Sequence, residues 1–487
     1  MGFLRAGAFN RRRIVQNIKH LILLTVIVFY IKLAFMISSY LYNEDGPGIY
    51  DAVEKYGLIP TILIYISLSA TIYLSAPLSL LNILGLVISN PFSNQTNHGK
   101  INTDTPFICF RVVTKGTYPR LVADITQKNL ETCHKVGLKN FKFEIVTDRA
   151  LGLNTSNYVR EIVVPNEYRT PNETLFKARA LHYCLDQSIN ILSNDDWITH
   201  LDEETLLTES VIHGIIEFIT KPDSAVGQGV ITYGGCGVQH WVTTLLDGVR
   251  VTIDYGLFRL GLGYLHTPLF GFKGSFVVVK MQIEQKVGFD FGPKECIAED
   301  LRFALTAWSY GYKFDFVKGV MKEKSTFSLS DYVKQRKRWF IGHFHVIWSG
   351  PLPAYCKVVV FIMNITNVLL WTNILNFIFS IACPVPVTKW QLQLFFLMTV
   401  NILFMLSFGN FMSLSRSQYS IFTRLALSFL SQFLVPVLGV LEAWGSLSGF
   451  FHRNNLTFHV VQKETLTEHN EKTGQLSREL NSFEQLA

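Results

Sequence analysis

Charge is scarce in this chain. Only 17% of its 487 residues are charged, against 49% hydrophobic, a balance that a soluble protein of this length does not carry. Paired cysteines are missing too. The seven, at 109, 133, 184, 236, 296, 356 and 383, form no Cys-x-x-Cys, which argues against a zinc ribbon and suits reduced thiols in a cytosol-facing domain. No Gly-x-Gly-x-x-Gly and no P-loop occur, so neither a Rossmann dehydrogenase nor a P-loop nucleotidase is indicated. No basic stripe interleaved with aromatics runs through the polar part. The net charge of +7 gathers at segment ends, where it suits anionic lipid headgroups and not nucleic acid.

What the chain has instead is long apolar runs. The first covers about His20 to Tyr42, preceded by Arg11, Arg12, Arg13 and Lys19 and followed by Glu44, Asp45, Asp51 and Glu54. The excess of positive charge puts the N-terminus in the cytosol. A second run, Leu58 to Ser89, is expected to hold one crossing and, after Pro77, a shorter helix at the interface. Val358–Ala382 and Gln391–Met412 read as two further crossings. The last run, Leu425 to Phe451, spans about 40 Å as a helix, too short to cross a core of about 30 Å twice. Arg453 and Lys463 beyond it want a cytosolic tail. Pro436, Gly439, Gly445 and Gly449 could break it into a re-entrant hairpin; otherwise it crosses once and the tail lies outside. The divisions are residues 1–92 for an N-terminal membrane region, 93–328 for a cytosolic catalytic domain, 329–350 for an amphipathic interface helix, 351–452 for a C-terminal membrane region and 453–487 for a polar tail.

The polar block reads as α/β with a mostly parallel sheet, set in an all-α multi-pass membrane region. Apolar strands Phe107–Val113, Phe141–Val146 and Trp197–Leu201 end in Thr114-Lys115-Gly116, Thr147-Asp148 and Asp202-Glu203-Glu204. Helical patterns over Leu121–Val136 and Thr174–Ile189 intervene. In such sheets ligands collect at the carboxyl ends of strands.

Three groups there carry chemistry. Asp202 and Glu204, on one face if the strand continues, make a half-site for Mg²⁺ or Mn²⁺, to be completed by phosphate and water. Read blandly, they are a solvated turn. Glu299 and Asp300 open a helix, where acids also serve simply as partners of the helix dipole. Gln335, Arg338 and Trp339 share one face of a helix starting near Ser328 or Ser330; the bland role is anchoring that helix to headgroups. Segment 233–275, rich in Gly and aromatics, suits a loop wall around an acceptor, with His240 and Trp241 as its candidates.

Taken together, in this order, Asp202-Glu203-Glu204, Glu299-Asp300 and Gln335-Arg336-Lys337-Arg338-Trp339 resemble the metal, base and Gln-x-x-Arg-Trp motifs of family 2 glycosyltransferases of the GT-A fold, which include cellulose and hyaluronan synthases. The likeness covers roughly residues 105–350 and the flanking spans. His200 to Thr205, Ile297 to Ala304 and Val333 to Phe340 look more closely like the invertebrate β-1,4-mannosyltransferases of glycosphingolipid synthesis. Segment Thr457–Lys463 also resembles the stretch after the last span in the synthases, which favours a cytosolic tail.

The resemblance implies GDP-mannose as donor, glucosylceramide as acceptor, and a multi-pass protein of the Golgi or endoplasmic reticulum. It implies a metal on Asp202 and Glu204, Asp300 as general base beside Glu299, Arg338 on the donor diphosphate with Gln335 beside it, and Trp339 against the acceptor ring. Asp148 and Lys177 would meet the nucleotide, as would Thr114 and Lys115, which stand where the wider family has Pro-Thr-Tyr-Asn. The metal motif ends in Glu204 instead of Asp. Two rival readings are a processive polysaccharide synthase and, in another class, a membrane transporter or receptor. Oligomeric state is not legible.

Overall fold

The computed structural model describes residues 2–44, 48–94, 105–153, 155–221, 223, 225–456 and 462–463. The stretch Thr457–Val461, and all but the first residues of the polar tail, lie outside them.

Seven strands form one sheet: β1 Ile108–Thr114, β2 Phe141–Thr147, β3 Val159–Val163, β4 Trp197–Leu201, β5 Val226–Thr232, β6 Val277–Lys280 and β7 Phe314–Lys322. Their order is β3-β2-β1-β4-β6-β5-β7. The first four are parallel, β5 is parallel to β7, and β6 runs antiparallel to both its neighbours. β1 and β2 pair in step from Ile108↔Phe141 to Thr114↔Thr147, so the turns after them leave the sheet side by side. Phe110, Phe143, Ile145, Ile198 and Val278 are fully buried between the flanking helices. Each contributes about 1.5–3 kcal/mol of apolar burial.

The Thr174–Ile189 pattern gives a shorter helix than expected, Phe176–Tyr183. The Asp186 carboxylate takes hydrogen bonds from the N–H and hydroxyl of Ser188, a local turn that competes with helix. Segment 233–275 is not chiefly loop. It holds helices Trp241–Leu246, Gly248–Ile253 and Arg259–Gly263, and these dock on the membrane helices. A Cβ on Gly409 would sit 1.7 Å from the Gly248 carbonyl oxygen, and one on Gly85 2.3 Å from that of Gly256. Only glycine permits such backbone contact.

Five helices among the described residues are long and apolar enough to cross a membrane. The second, Leu58–Ile88, is one unbroken helix with Pro77 inside it, correcting the expected break. Pro77 removes one backbone hydrogen bond. Neighbouring helices stabilise the rod through Ser67–Asn376, Thr71–Thr372 and Gln391–Ser69 hydrogen bonds, as is usual for proline in membranes. The fifth, over residues 421–451, is interrupted. Ile421–Leu430 descends beside Lys389–Ser413, with Gln432 donating to the Ser407 hydroxyl. A 3₁₀ turn at Ser431–Leu434 follows, and Pro436 starts the helix Val435–Phe451.

That last helix runs alongside the interface helix Leu329–Ser349. Glu442 meets Tyr332, Gly445 meets Arg336, and Gly449 meets Phe340. Before this interrupted segment, Ser413 accepts from the N–H groups of Tyr233 and Gly234. After it, Lys463 pairs with Glu204. Both flanks of the segment therefore contact the α/β domain.

Candidate active site

β4 ends at Leu201, and residues 202–205 form a turn closed by the Thr205 N–H on the Asp202 carbonyl. Strand alternation therefore does not orient Asp202 and Glu204, contrary to expectation. The turn itself does. The Thr205 hydroxyl donates to Glu323 at 2.8 Å, and Thr114 donates to Glu203. Asp202 is left partly exposed, its side chain 40% accessible. Glu204 is buried, with Oε1 on Lys463 and Oε2 lacking a hydrogen-bond partner.

Across from this turn, Glu299 and Asp300 open helix Glu299–Ser309. Lys177, from helix Phe176–Tyr183, bridges the two groups. Its Nζ donates to Asp202 Oδ1 at 2.8 Å and to the Gly274 carbonyl at 2.9 Å, and lies 4.0 Å from Glu299 Oε1. Gly274 makes room: a Cβ there would press on Asp300, Lys177 and Glu299 alike, at 3.3–3.5 Å. Arg338 faces Glu299, Asp300 and Asp202 from the interface helix. Burial lowers its pKa and the three carboxylates act to raise it.

The acids respond unequally. For Asp202, burial is outweighed by Lys177, Lys463 and Arg338, so its pKa falls to about 2. Glu299 is pushed up to about 8 by burial and by Asp300. Asp300 is raised by burial too, although Leu301 N–H, Lys177 and Arg338 hold it down. The helix start favours its charge as expected, but desolvation is the larger effect. Both adjacent carboxyls are therefore raised, Glu299 to about 8.

Two cavities flank this seam. One, of about 290 Å³, is lined by Lys177, His200, Gly274, Glu299 and Asp300. The other, of about 300 Å³, is lined by Glu204, Asp247, Arg250, Gln335 and Lys463. Trp339 stands behind Arg250, whose guanidinium lies 4.7 Å from the indole centre, with Arg336 at 4.5 Å. Gln335 accepts from Arg336. Asp148 pairs with Arg179 at 2.6 Å, Thr114 is committed to Glu203, and Lys115 is exposed in the turn after β1. His240 caps helix Trp241–Leu246, and Trp241 packs edge-on against Tyr419.

Sequence reasoning missed Glu323, Asp247, Arg250 and Lys463. Glu323, just past the end of β7, has its pKa raised to about 7 by burial and by Asp202 and Glu204. Its place just after an apolar strand was a usable signal. The others come from distant segments and had none.

A largely parallel sheet with acids at its strand ends, an Arg from an interface helix and spans on either side defines a membrane glycosyltransferase of GT-A type. A model of the glycosyl transferase family group 2 matches residues 197–414. The chain is 40% identical over 427 residues to the β-1,4-mannosyltransferase egh of Drosophila melanogaster, covering 87% of this chain and 92% of that protein. It is 37% identical over 458 residues to the β-1,4-mannosyltransferases bre-3 of Caenorhabditis briggsae and Caenorhabditis elegans, covering 93% of this chain and 99% of each. The chain belongs to this β-1,4-mannosyltransferase family within glycosyl transferase family group 2.

Proposed function

We propose that the enzyme moves mannose from GDP-mannose to the glucose of glucosylceramide, forming a β-1,4 linkage by one inverting displacement. The observation that carries the reading is the convergence of Asp202, Glu299, Asp300, Lys177 and Arg338 on one charged seam, in a chain whose relatives bear the name β-1,4-mannosyltransferase. Asp300 takes the proton from the acceptor hydroxyl as that oxygen attacks the anomeric carbon. Glu299, protonated beside it, leaves Asp300 the ionised member. Arg338 and Lys177 offset charge on the departing diphosphate. Thr114, Lys115 and Asp148, at the ends of β1 and β2, line the nucleotide side.

Asp202 and Glu204 would hold Mn²⁺ or Mg²⁺. The fit rests on the buried Glu204 Oε2, which lacks a partner, beside the ionised Asp202. Two carboxylates are too few for a closed site, so phosphate and water must supply the rest. When bound, the ion neutralises the leaving diphosphate. The acceptor's ceramide explains the membrane setting: the sugar need rise only to the interface helix. The proposed location is the Golgi or endoplasmic reticulum, with the catalytic domain in the cytosol.

The test is a panel of nucleotide sugars with glucosylceramide and Mn²⁺ or Mg²⁺, read by product mass. One hexose added from GDP-mannose, lost on chelation and restored by metal, supports the reading. A long product ladder would instead favour a processive synthase, and no transfer from any donor would remove the proposal.

A further inference from the structure

Trp339 sits at the centre of an alternating ladder of rings and guanidiniums. Arg250 lies 4.4 Å from the centre of Tyr233 and 4.7 Å from that of Trp339. Arg336 lies 4.5 Å from Trp339 and 3.9 Å from Tyr332. The sequence Tyr233, Arg250, Trp339, Arg336, Tyr332 draws on β5's exit, the helix Gly248–Ile253 and the interface helix. Each cation–π contact is attractive, but two cations this close repel one another. The ladder needs an anion to hold it.

That anion is Asp247. Its Oδ1 receives Arg336 Nη2 at 3.1 Å and Arg250 Nη1 at 3.4 Å, and its Oδ2 receives the Ser325 hydroxyl at 2.7 Å. The Asp247 side chain is 1% exposed. Arg336 has a second anchor, Glu442 of helix Val435–Phe451. Glu442 Oε1 takes Arg336 Nε at 2.7 Å and the Tyr332 hydroxyl at 2.7 Å. The same helix presents Val440, Trp444 and Phe451 outward. Arg250 and Asp247 also line the second cavity, between Gln335 and Glu204.

We propose that Asp247 and Glu442 are positioning residues for acceptor use: they fix two guanidiniums on Trp339 and so set the indole's orientation toward the acceptor sugar. This rests on the proposed transfer to a glucosylceramide head and on the acceptor role that the family resemblance implies for Trp339. Neither residue touches a reacting atom. Both act through Arg250 and Arg336. Glu442 ties that orientation to helix Val435–Phe451, so the setting of the ring depends on how that helix packs on the interface helix.

The test measures initial rates with the full-length enzyme in detergent, varying GDP-mannose and glucosylceramide separately, for wild type and for Trp339→Ala, Asp247→Asn, Glu442→Ala and Glu442→Gln. A loss of folded fraction lowers the apparent kcat and leaves both KM values alone, so the KM pattern separates positioning from mere structure. Asp247→Asn is expected to raise the acceptor KM about tenfold and Glu442→Ala about fivefold, with the donor KM moving less than about twofold. Glu442→Gln, which keeps an acceptor for Tyr332 and Arg336, is expected to recover most of the loss. If Asp247→Asn does not fold, the two Glu442 variants decide. Unchanged acceptor KM in the Glu442 variants, or donor and acceptor KM rising together, overturns the inference while Trp339→Ala still raises acceptor KM. A Trp339→Ala enzyme with normal acceptor KM removes the acceptor role of the ring, and the inference with it. Wild-type enzyme that transfers no mannose to this lipid fails the functional proposal before either.

Discussion

Two buried clusters of charge occupy the same sheet and behave in opposite ways. In the first, Arg111 on β1 donates through Nε and Nη2 to Glu144 and through Nη1 to Glu284, whose other oxygen meets His200 Nε2. None of these four side chains is more than 6% exposed. Burial opposes the charge of Glu284, yet His200 and Arg111 outweigh it and lower its pKa. In the second, Glu299 and Asp300 lie side by side, with Lys177 and Arg338 opposite, and Glu299 is pushed up to about 8. In the first cluster both oxygens of Glu284 are taken by protein partners. The second holds a carboxyl pushed far from its ordinary value, a feature that gathers at functional sites.

The largest effect that would sharpen this contrast is on rate. Asp300→Asn should cost about 10²–10⁴ in kcat, the usual worth of a general base, while the melting temperature holds or rises. A melting temperature that fell with activity would place Asp300 among the structural groups. Next comes the reverse experiment. Glu284→Ala takes from Arg111 one of its two buried carboxylate partners and should cost about 3–5 kcal/mol, read by denaturant unfolding, with specific activity per folded molecule preserved. A Glu284→Ala enzyme of normal stability but lost turnover would merge the two clusters into one.

The pH responses should also have opposite signs. A lowered carboxylate such as Glu284 adds stability above its ordinary value of 4.5, which is lost as pH falls. A raised one such as Glu299 gives stability that is full below 4.5 and is lost as pH climbs through about 8. Thermal unfolding of ligand-free protein across about pH 4–9 should therefore decline at both ends, and Glu299→Gln should flatten only the alkaline side. An unchanged alkaline slope would mean that Glu299 is not the group responsible. The smallest expected effect is on the acid limb of acceptor kcat/KM. Because Asp300 is raised above its usual 3.8, activity should fall on acidification at a pH higher than an ordinary aspartate gives. A limb at or below that value would argue against burial as the controlling influence.

How far the sequence foretold this follows from range. The acids after β4 and at the start of helix Glu299–Ser309 are read from neighbours a few residues away, and they lie at a strand end and a helix start. Helix Leu329–Ser349 begins after Ser328, whose hydroxyl caps Asp331, a signal contained in four residues. Strand β6, four residues long and antiparallel, was missed because its pattern Val-Val-Val-Lys suits any buried segment. Pro77 misled because local chemistry favours a break, whereas packing against two other crossing helices decides. Asp247, Glu442 and Lys463 owe their roles to partners 89, 106 and 259 residues distant, beyond the reach of spacing arguments.

The backbone-to-backbone seats at Gly85 and Gly409 bear on how the enzyme can be handled. Helices Gly248–Ile253 and Arg259–Gly263 belong to the catalytic half by sequence, yet they rest on the spans as a stone rests in its setting. Cutting out residues 105–350 as a soluble fragment would bare that seat, together with the far side of the Arg336–Glu442 pair. Expression of the isolated catalytic half should therefore yield aggregates. A working enzyme needs its spans as part of the catalyst, in addition to their service as an anchor.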